Sequence, residues 1–221
     1  MNLFDNYEVF VFDLDGLLID SLDKLSSSLV GAVSKFANPH QVEVFEDYDR
    51  KNPGLSRFKK VDYFINTILN EKKFNPKLVL DEFDLLSLQA RLSSPITPFL
   101  LKLYQRYSDK KWILLTNCDN NQLLSVADKF NLKDIFKDNL IGTPPSKSIR
   151  ASKIKSENYD KKILSISDSE SDCEVAKENG FDFLFIEEFS RSNLDWKVTN
   201  YYAIASLGDL LDNSMSAQLI K

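Results

Sequence analysis

Short, continuous apolar runs recur along this chain, each closed by polar residues, and their alternation with helix-like stretches restricts the fold more than any other feature. The runs are YEVFVF (7–12), KWILLT (111–116), KKILSIS (161–167) and FDFLFI (181–186), with a weaker one, DNLIG, at 138–142. A strand with one solvated face alternates apolar and polar residues; a continuous run belongs to a strand buried on both faces. Between the runs, Asn121–Phe130, Ile149–Lys155 and Glu170–Asn179 carry helical spacing, the last ending in the helix-stopping pair Asn179-Gly180. Strand and helix in alternation predict an α/β fold, a parallel sheet with helices on both faces.

One stretch breaks the alternation. From Leu17 to Ser94 there is no strong strand, and Ser21–Phe36, Leu55–Asn70 and Pro76–Leu92 read as helices. In the second, Phe58, Val61, Phe64, Ile65 and Ile68 follow the three-and-four spacing of an amphipathic helix. Pro39, Pro53-Gly54 and Pro76 mark boundaries, and His40 falls in a loop after Pro39. A helical block between the first and second strands is an insertion. The division expected is therefore a core of 1–16 and 94–221 with a helical insert at 17–93.

Composition narrows the function. The 221 residues are 43% hydrophobic, and 28 Lys and Arg against 33 Asp and Glu leave a net charge of −5. An acidic chain without a basic cluster is a poor ligand for nucleic acid or an anionic membrane, so neither partner is expected. Two cysteines, Cys118 and Cys173, make neither a disulfide framework nor a zinc set. With no secretion signal or membrane-length apolar run, a cytoplasmic location is expected.

The chemistry gathers where the apolar runs end. In VFVFDLDGLLIDS, Asp13 and Asp15 stand two apart at a strand mouth, so both side chains leave one face, and Gly16 lets the chain turn. Ligands of open parallel sheets sit beyond the carboxyl ends of the strands. Adjacent carboxylates repel, and a hard cation such as magnesium relieves them. By itself the pattern also suits an ordinary acidic turn. Later strands add matching groups: Thr116 and Asn117 offer a hydroxyl and an amide to phosphate oxygens. Asp168 ends the 161–167 run, and Asp172 follows in the next helix, where it also complements the helix N-terminus. Lys147 lies in the Pro-rich loop GTPPSK before a helix, the nearest cation in sequence to the carboxyl edge.

Together these segments resemble the haloacid dehalogenase superfamily in its phosphatase branch, whose core is a Rossmann-like sheet with a small helical cap inserted after the first strand. Asp13-Leu14-Asp15-Gly16-Leu17-Leu18-Ile19-Asp20-Ser21 matches the first motif, Thr116 the second, Lys147 the third, and Asp168 with Asp172 the fourth. The resemblance implies that Asp13 attacks phosphorus and that Asp15 moves the proton. It implies that Asp13, Asp15 (through its carbonyl), Asp168 and Asp172 serve a magnesium ion. Thr116, Asn117 and Lys147 would hold the phosphoryl oxygens. The fourth motif departs from the usual Gly-Asp in reading Ser167-Asp168, which adds a hydroxyl beside the metal loop. Lys153 and Lys155 compete with Lys147 for the third motif but fall inside the following helix.

The segment Asn52-Pro53-Gly54-Leu55-Ser56-Arg57 resembles the family's cap specificity loop, which would give Arg57 to a carboxylate or second phosphate of the substrate; the plainer reading is a helix N-terminus with Arg57 in solvent. The resemblance thus implies hydrolysis of a small phosphorylated metabolite, a sugar phosphate among the candidates. A sugar phosphomutase is the nearest alternative, but its early cap histidine has no counterpart in LDKLSSSLV. A non-catalytic phospho-ligand binder would be expected to lack Asp13, Asp15 or Asp168. A receiver-type signalling module would be about half as long. Cys118 and Cys173 are expected near the carboxyl edge, on strands flanking the first, and shielded by packing.

Overall fold

The computed structural model describes residues 3–53, 55–192, 201–212 and 218–220. Gly54, part of the segment resembling a specificity loop, and Trp196 lie outside the described residues. In chain order the strands are β1 (Val9–Phe12), β2 (Lys111–Asp119), β3 (Leu140–Thr143), β4 (Ile163–Ser167), β5 (Asp182–Ile186), β6 (Tyr201–Ile204) and β7 (Gln218–Ile220). The helices are α1 (Leu22–Ser34), α2 (Pro39–Lys51), α3 (Arg57–Tyr63), α4 (Pro76–Leu92), α5 (Leu100–Arg106), α6 (Asn120–Lys129), α7 (Leu132–Phe136), α8 (Lys147–Glu157) and α9 (Glu170–Glu178).

Among the described residues the strands form one sheet in the order β3-β2-β1-β4-β5-β6-β7. β1 to β6 pair in parallel, and β7 runs antiparallel at the edge. This is the parallel α/β sheet expected from the apolar runs, and the Rossmann-like core that the resemblance implies. Side chains alternate along each strand, so each face of the sheet has its own core. Val9 and Val11 of β1 join Ile113, Leu115, Ala151, Ile154, Cys173 and Phe183 on one side. Phe10 and Phe12 point the other way, where the Phe12 ring stacks on Trp112 at 4.6 Å and meets Phe136 edge-on at 5.9 Å. The chain order reverses around β1, whose neighbours are β2 and β4, and such a switch point opens a crevice at the carboxyl ends of the strands.

The chain divides into two compact units, residues 1–20 with 95–221, and residues 21–94. The insert therefore begins four residues later than the sequence reading placed it. Residues 17–20 stay with the core because their backbone is paired there: Ile19 bridges both Asp15 and Ile96, Thr97 N–H donates to Leu18 C=O at 2.8 Å, and Asp20 N–H donates to Pro95 C=O at 3.0 Å.

The helical unit has its own core of Leu29, Ala32, Val33, Phe45, Val61, Phe64, Ile65, Val79 and Phe83. A buried ion pair in this unit joins Lys60 to Asp49 at 2.6 Å, and Ser26 Oγ donates to the other Asp49 oxygen. Phe58 departs from the amphipathic reading, since it is about half exposed. The helix expected over 55–70 is split, α-helical through Tyr63 and then one π-helical turn over Phe64–Leu69. His40 is not in a loop. Asn38 accepts from Gln41 N–H, Gln41 Oε1 accepts from Asn38 N–H, and this reciprocal cap starts α2 at Pro39.

Candidate active site

The site is built where β1, β2 and β4 end side by side. Register pairs Phe12 with both Leu114 and Ile166, so the residues just beyond these positions must lie close. Asp13 N–H donates to Ile166 C=O at 3.1 Å, which sets Asp13 beside Ser167 and Asp168. Gly16, at a φ of 82°, then allows the return in which its N–H donates to Ile19 C=O at 2.9 Å.

Lys147 reaches this edge from the far side of the chain. Its ammonium donates to Asp13 Oδ1 at 2.8 Å and to Asp172 Oδ2 at 2.7 Å, with all three side chains nearly buried. Lys147 is not in the loop before the helix, as its prolines suggested, but is the first residue of α8, whose N-cap is Ser146. Lys153 is exposed and pairs with Glu157 at 3.7 Å.

The fourth segment is held from two directions. Ser167 Oγ donates to Asp172 Oδ2, so the serine that stands where the resembled motif has glycine orients a carboxylate. Ser190 and Ser192, just after β5, donate through their hydroxyls to Asp168 C=O at 2.6 and 3.2 Å. At the end of β2, Thr116 is buried and its Oγ1 accepts from Cys118 N–H at 3.1 Å, while Asn117 is exposed. Asn120 Oδ1 accepts from Gly142 N–H at 2.9 Å, and a Cβ at Gly142 would sit 2.7 Å from Cys118 C=O, so β3 can approach β2 here only as glycine.

The core unit thus assembles Asp13, Thr116, Lys147, Asp168 and Asp172, with Asp15 near enough to act on Asp13 electrostatically. Arg57 belongs to the helical unit. Its guanidinium lies 4.8 Å from the Phe58 ring centre and 5.7 Å from that of Phe83, with Asp84 at 3.9 Å. It is largely covered there and not spread into solvent. Sequence reasoning missed Arg150, one turn along α8, which is 5% exposed and bonded to Thr116 of β2 and Ile141 of β3. An arginine in a polar helix has the pattern of a solvated residue, so only its tertiary acceptors reveal it.

Burial dominates the electrostatics. It pushes the Asp13 carboxyl up to about 7, against the opposing pull of Lys147 and with added repulsion from Asp172 and Asp15. Asp168 is raised as well, by burial first and then by Asp13 and Asp172. Lys147 is held above its ordinary value because Asp13 and Asp172 outweigh its desolvation. A folded chain in chelator keeps a proton on Asp13 that the unfolded chain, at the ordinary 3.8, has already lost. Between about pH 4 and pH 7 the native state then binds more protons, and stability falls as pH rises. Melting temperatures in chelator should decline over that window, and Asp13→Asn should flatten the decline. An unchanged profile in the variant would remove Asp13 as its source.

Magnesium is the ion that the resemblance implies. Among the described residues no three His, Cys, Asp or Glu side chains form a ready-made metal cage. The donor chemistry does suit magnesium. Asp13, Asp168 and Asp172 are hard oxygen ligands that one lysine cannot neutralise, and magnesium takes one or two carboxylates while keeping several waters.

Both cysteines are buried and unbridged. Cys118 lies on β2, as expected, but Cys173 lies in α9 and not on a strand. Burial raises the Cys173 thiol to about 11, which leaves little thiolate at neutral pH and argues against a redox role.

No protein-family model matches the chain, and no curated protein does. Solved structures share its fold. A provisionally assigned phosphoglycolate phosphatase from Lactobacillus plantarum superposes with a TM-score of 0.71 at 16% identity, over 93% of this chain and 98% of that one. A provisionally assigned haloacid dehalogenase-like hydrolase from Bacteroides fragilis gives 0.69 at 17% identity, over 92% and 99%. A provisionally assigned beta-phosphoglucomutase from Thermotoga maritima gives 0.61 at 15% identity, over 92% and 96%.

Proposed function

We propose that this chain, which has the fold of haloacid dehalogenase-like hydrolases, is a magnesium-dependent phosphatase of small phosphate monoesters, sugar phosphates among them. The observation that carries the reading is the contact of Lys147 with Asp13 at 2.8 Å at the carboxyl end of β1, with Asp168 and Asp172 beside it. A carboxylate paired with a buried ammonium, facing a sheet crevice, is a nucleophile with its counter-charge in place.

In the proposed reaction an Asp13 oxygen bonds to phosphorus as the ester P–O bond breaks, and Asp15 gives its proton to the leaving oxygen. Asp15 then takes a proton from the water that attacks the aspartyl-phosphate, which releases inorganic phosphate and restores both residues. Lys147 balances charge on the phosphoryl oxygens, and Thr116 and Asn117 donate to them. Asp13, Asp168, Asp172 and the Asp15 carbonyl would hold magnesium, which supplies positive charge to the phosphoryl group. Arg57 is the candidate for recognising the rest of the substrate.

A phosphomutase is disfavoured by the insert's sequence, which has no histidine from Ser21 to Val30 and a single exposed one, His40, on α2. Among the described residues no helix is long and apolar enough to cross a membrane. The test is phosphate release from an aryl phosphate and a panel of phosphorylated sugars, with magnesium or with chelator. Magnesium-dependent release is expected. A folded protein that releases none from any ester would overturn the reading.

A further inference from the structure

We infer that Arg150 is a positioning residue for phosphate binding, one that fixes Asn117 as a hydrogen-bond donor and locks the segments carrying Thr116 and Lys147 into one frame; this rests on the phosphatase reading. Arg150 Nε donates to Pro145 C=O at 2.7 Å and to Ser146 C=O at 3.3 Å. Its Nη1 donates to Thr116 C=O at 2.6 Å and to Ile141 C=O at 3.0 Å. Its Nη2 donates to Asn117 Oδ1 at 3.2 Å. One side chain thus joins Thr116 of β2, Ile141 of β3 and the turn that starts α8.

Those acceptors carry no formal charge. A guanidinium buried against neutral oxygens is a costly way to gain stability, because an apolar side chain of the same volume would avoid the desolvation. The nearby charges of Asp13 and Asp172 offset part of that cost, and what the side chain adds beyond charge is geometry. The planar fork holds several donors in fixed directions, so three backbone segments cannot shift independently. The clamped segments are those that present Thr116, Asn117 and Lys147.

The Asn117 contact adds a chemical constraint. Guanidinium has donors only, so the amide must turn its oxygen toward Arg150. The amide nitrogen then forms the other end of the group. Phosphoryl oxygens only accept, and this orientation is the one that can serve them. With the amide reversed, oxygen would face oxygen.

Two measurements test the inference. In uniformly 15N-labelled wild-type protein, the Arg150 Nη protons should be separately resolved and slow to exchange. Averaged, rapidly exchanging signals would refute the clamp whether or not the protein turns over any ester. If no ester is hydrolysed while these signals are resolved, the phosphatase reading fails and the clamp stands. The second measurement compares Arg150→Lys, Asn117→Ala and the double variant, by KM for an aryl phosphate and by competitive inhibition with inorganic phosphate. Each single change should weaken both roughly tenfold with a smaller loss in kcat, and the double variant should be no worse than the weaker single. Wild-type phosphate inhibition in Arg150→Lys, or losses that multiply in the double variant, would overturn it. Should Arg150→Lys not fold, the wild-type proton signals still decide.

Discussion

Asp13→Asn should lower phosphate release by at least roughly 10⁴-fold while leaving a folded protein, because the amide keeps the shape of the carboxyl but cannot attack phosphorus. The change removes one of the two carboxylates that pair with Lys147 and leaves it Asp172. Asp13 is nearly buried, and its ionised form is disfavoured by that burial and by Asp172 and Asp15, so a neutral side chain removes a local repulsion. The measurement is turnover of an aryl phosphate alongside a thermal melt. A second variant separates the two aspartates. Asp15→Asn should cost most with poor leaving groups, which need a proton, and least with an aryl phosphate, which leaves unaided. Equal losses across leaving groups would deny Asp15 its role as proton donor, and full activity in Asp13→Asn would end the mechanism.

Lys147→Met should damage both stability and activity. Lys147 holds two carboxylates within 2.8 Å, and removing one member of a buried ion network leaves the others uncompensated, at a cost of about 3 kcal/mol. Turnover should fall with it, since the phosphoryl group would meet Asp13 and Asp172 without their cation. Lys153→Met provides the contrast. That side chain is exposed and pairs only with Glu157 one turn on, so melting temperature and turnover should match wild type. Denaturant unfolding and phosphate release for the two variants test the assignment. Loss of activity in Lys153→Met with Lys147→Met intact would reverse it.

Much of the core was legible because its signals are local. The run ending at Phe12 and the pair Asp13 and Asp15 identify the first strand and its chemistry. Four further runs place β2 to β5 within a few residues. What the sequence hid depends on partners distant in the chain. Tyr201–Ile204 and Gln218–Ile220 are short, and only pairing along the sheet edge makes them strands. Arg150 has the look of a surface residue until Thr116, Ile141 and Pro145 supply acceptors. Other misses were errors of reading. Pro39 reads as a boundary in the sequence, yet proline suits the first helical position, and Asn38 with Gln41 spells a reciprocal cap. Ser146 likewise marks the start of α8 at Lys147, which the preceding prolines obscured.

The paired neck formed by Leu18–Asp20 and Pro95–Thr97 has a consequence for how this chain can vary. The two points where the core chain departs and returns are hydrogen-bonded neighbours, so a tight turn could join them as well as a helical unit does. Closing a longer loop across fixed ends costs only about 0.6 kcal/mol for each doubling of its length. The core's thermodynamics are therefore nearly blind to what is threaded between these residues. The region that would choose among substrates can be lengthened, shortened or exchanged at little expense to the sheet that carries Asp13. Divergence of specificity and preservation of chemistry are thereby assigned to different stretches of one polypeptide.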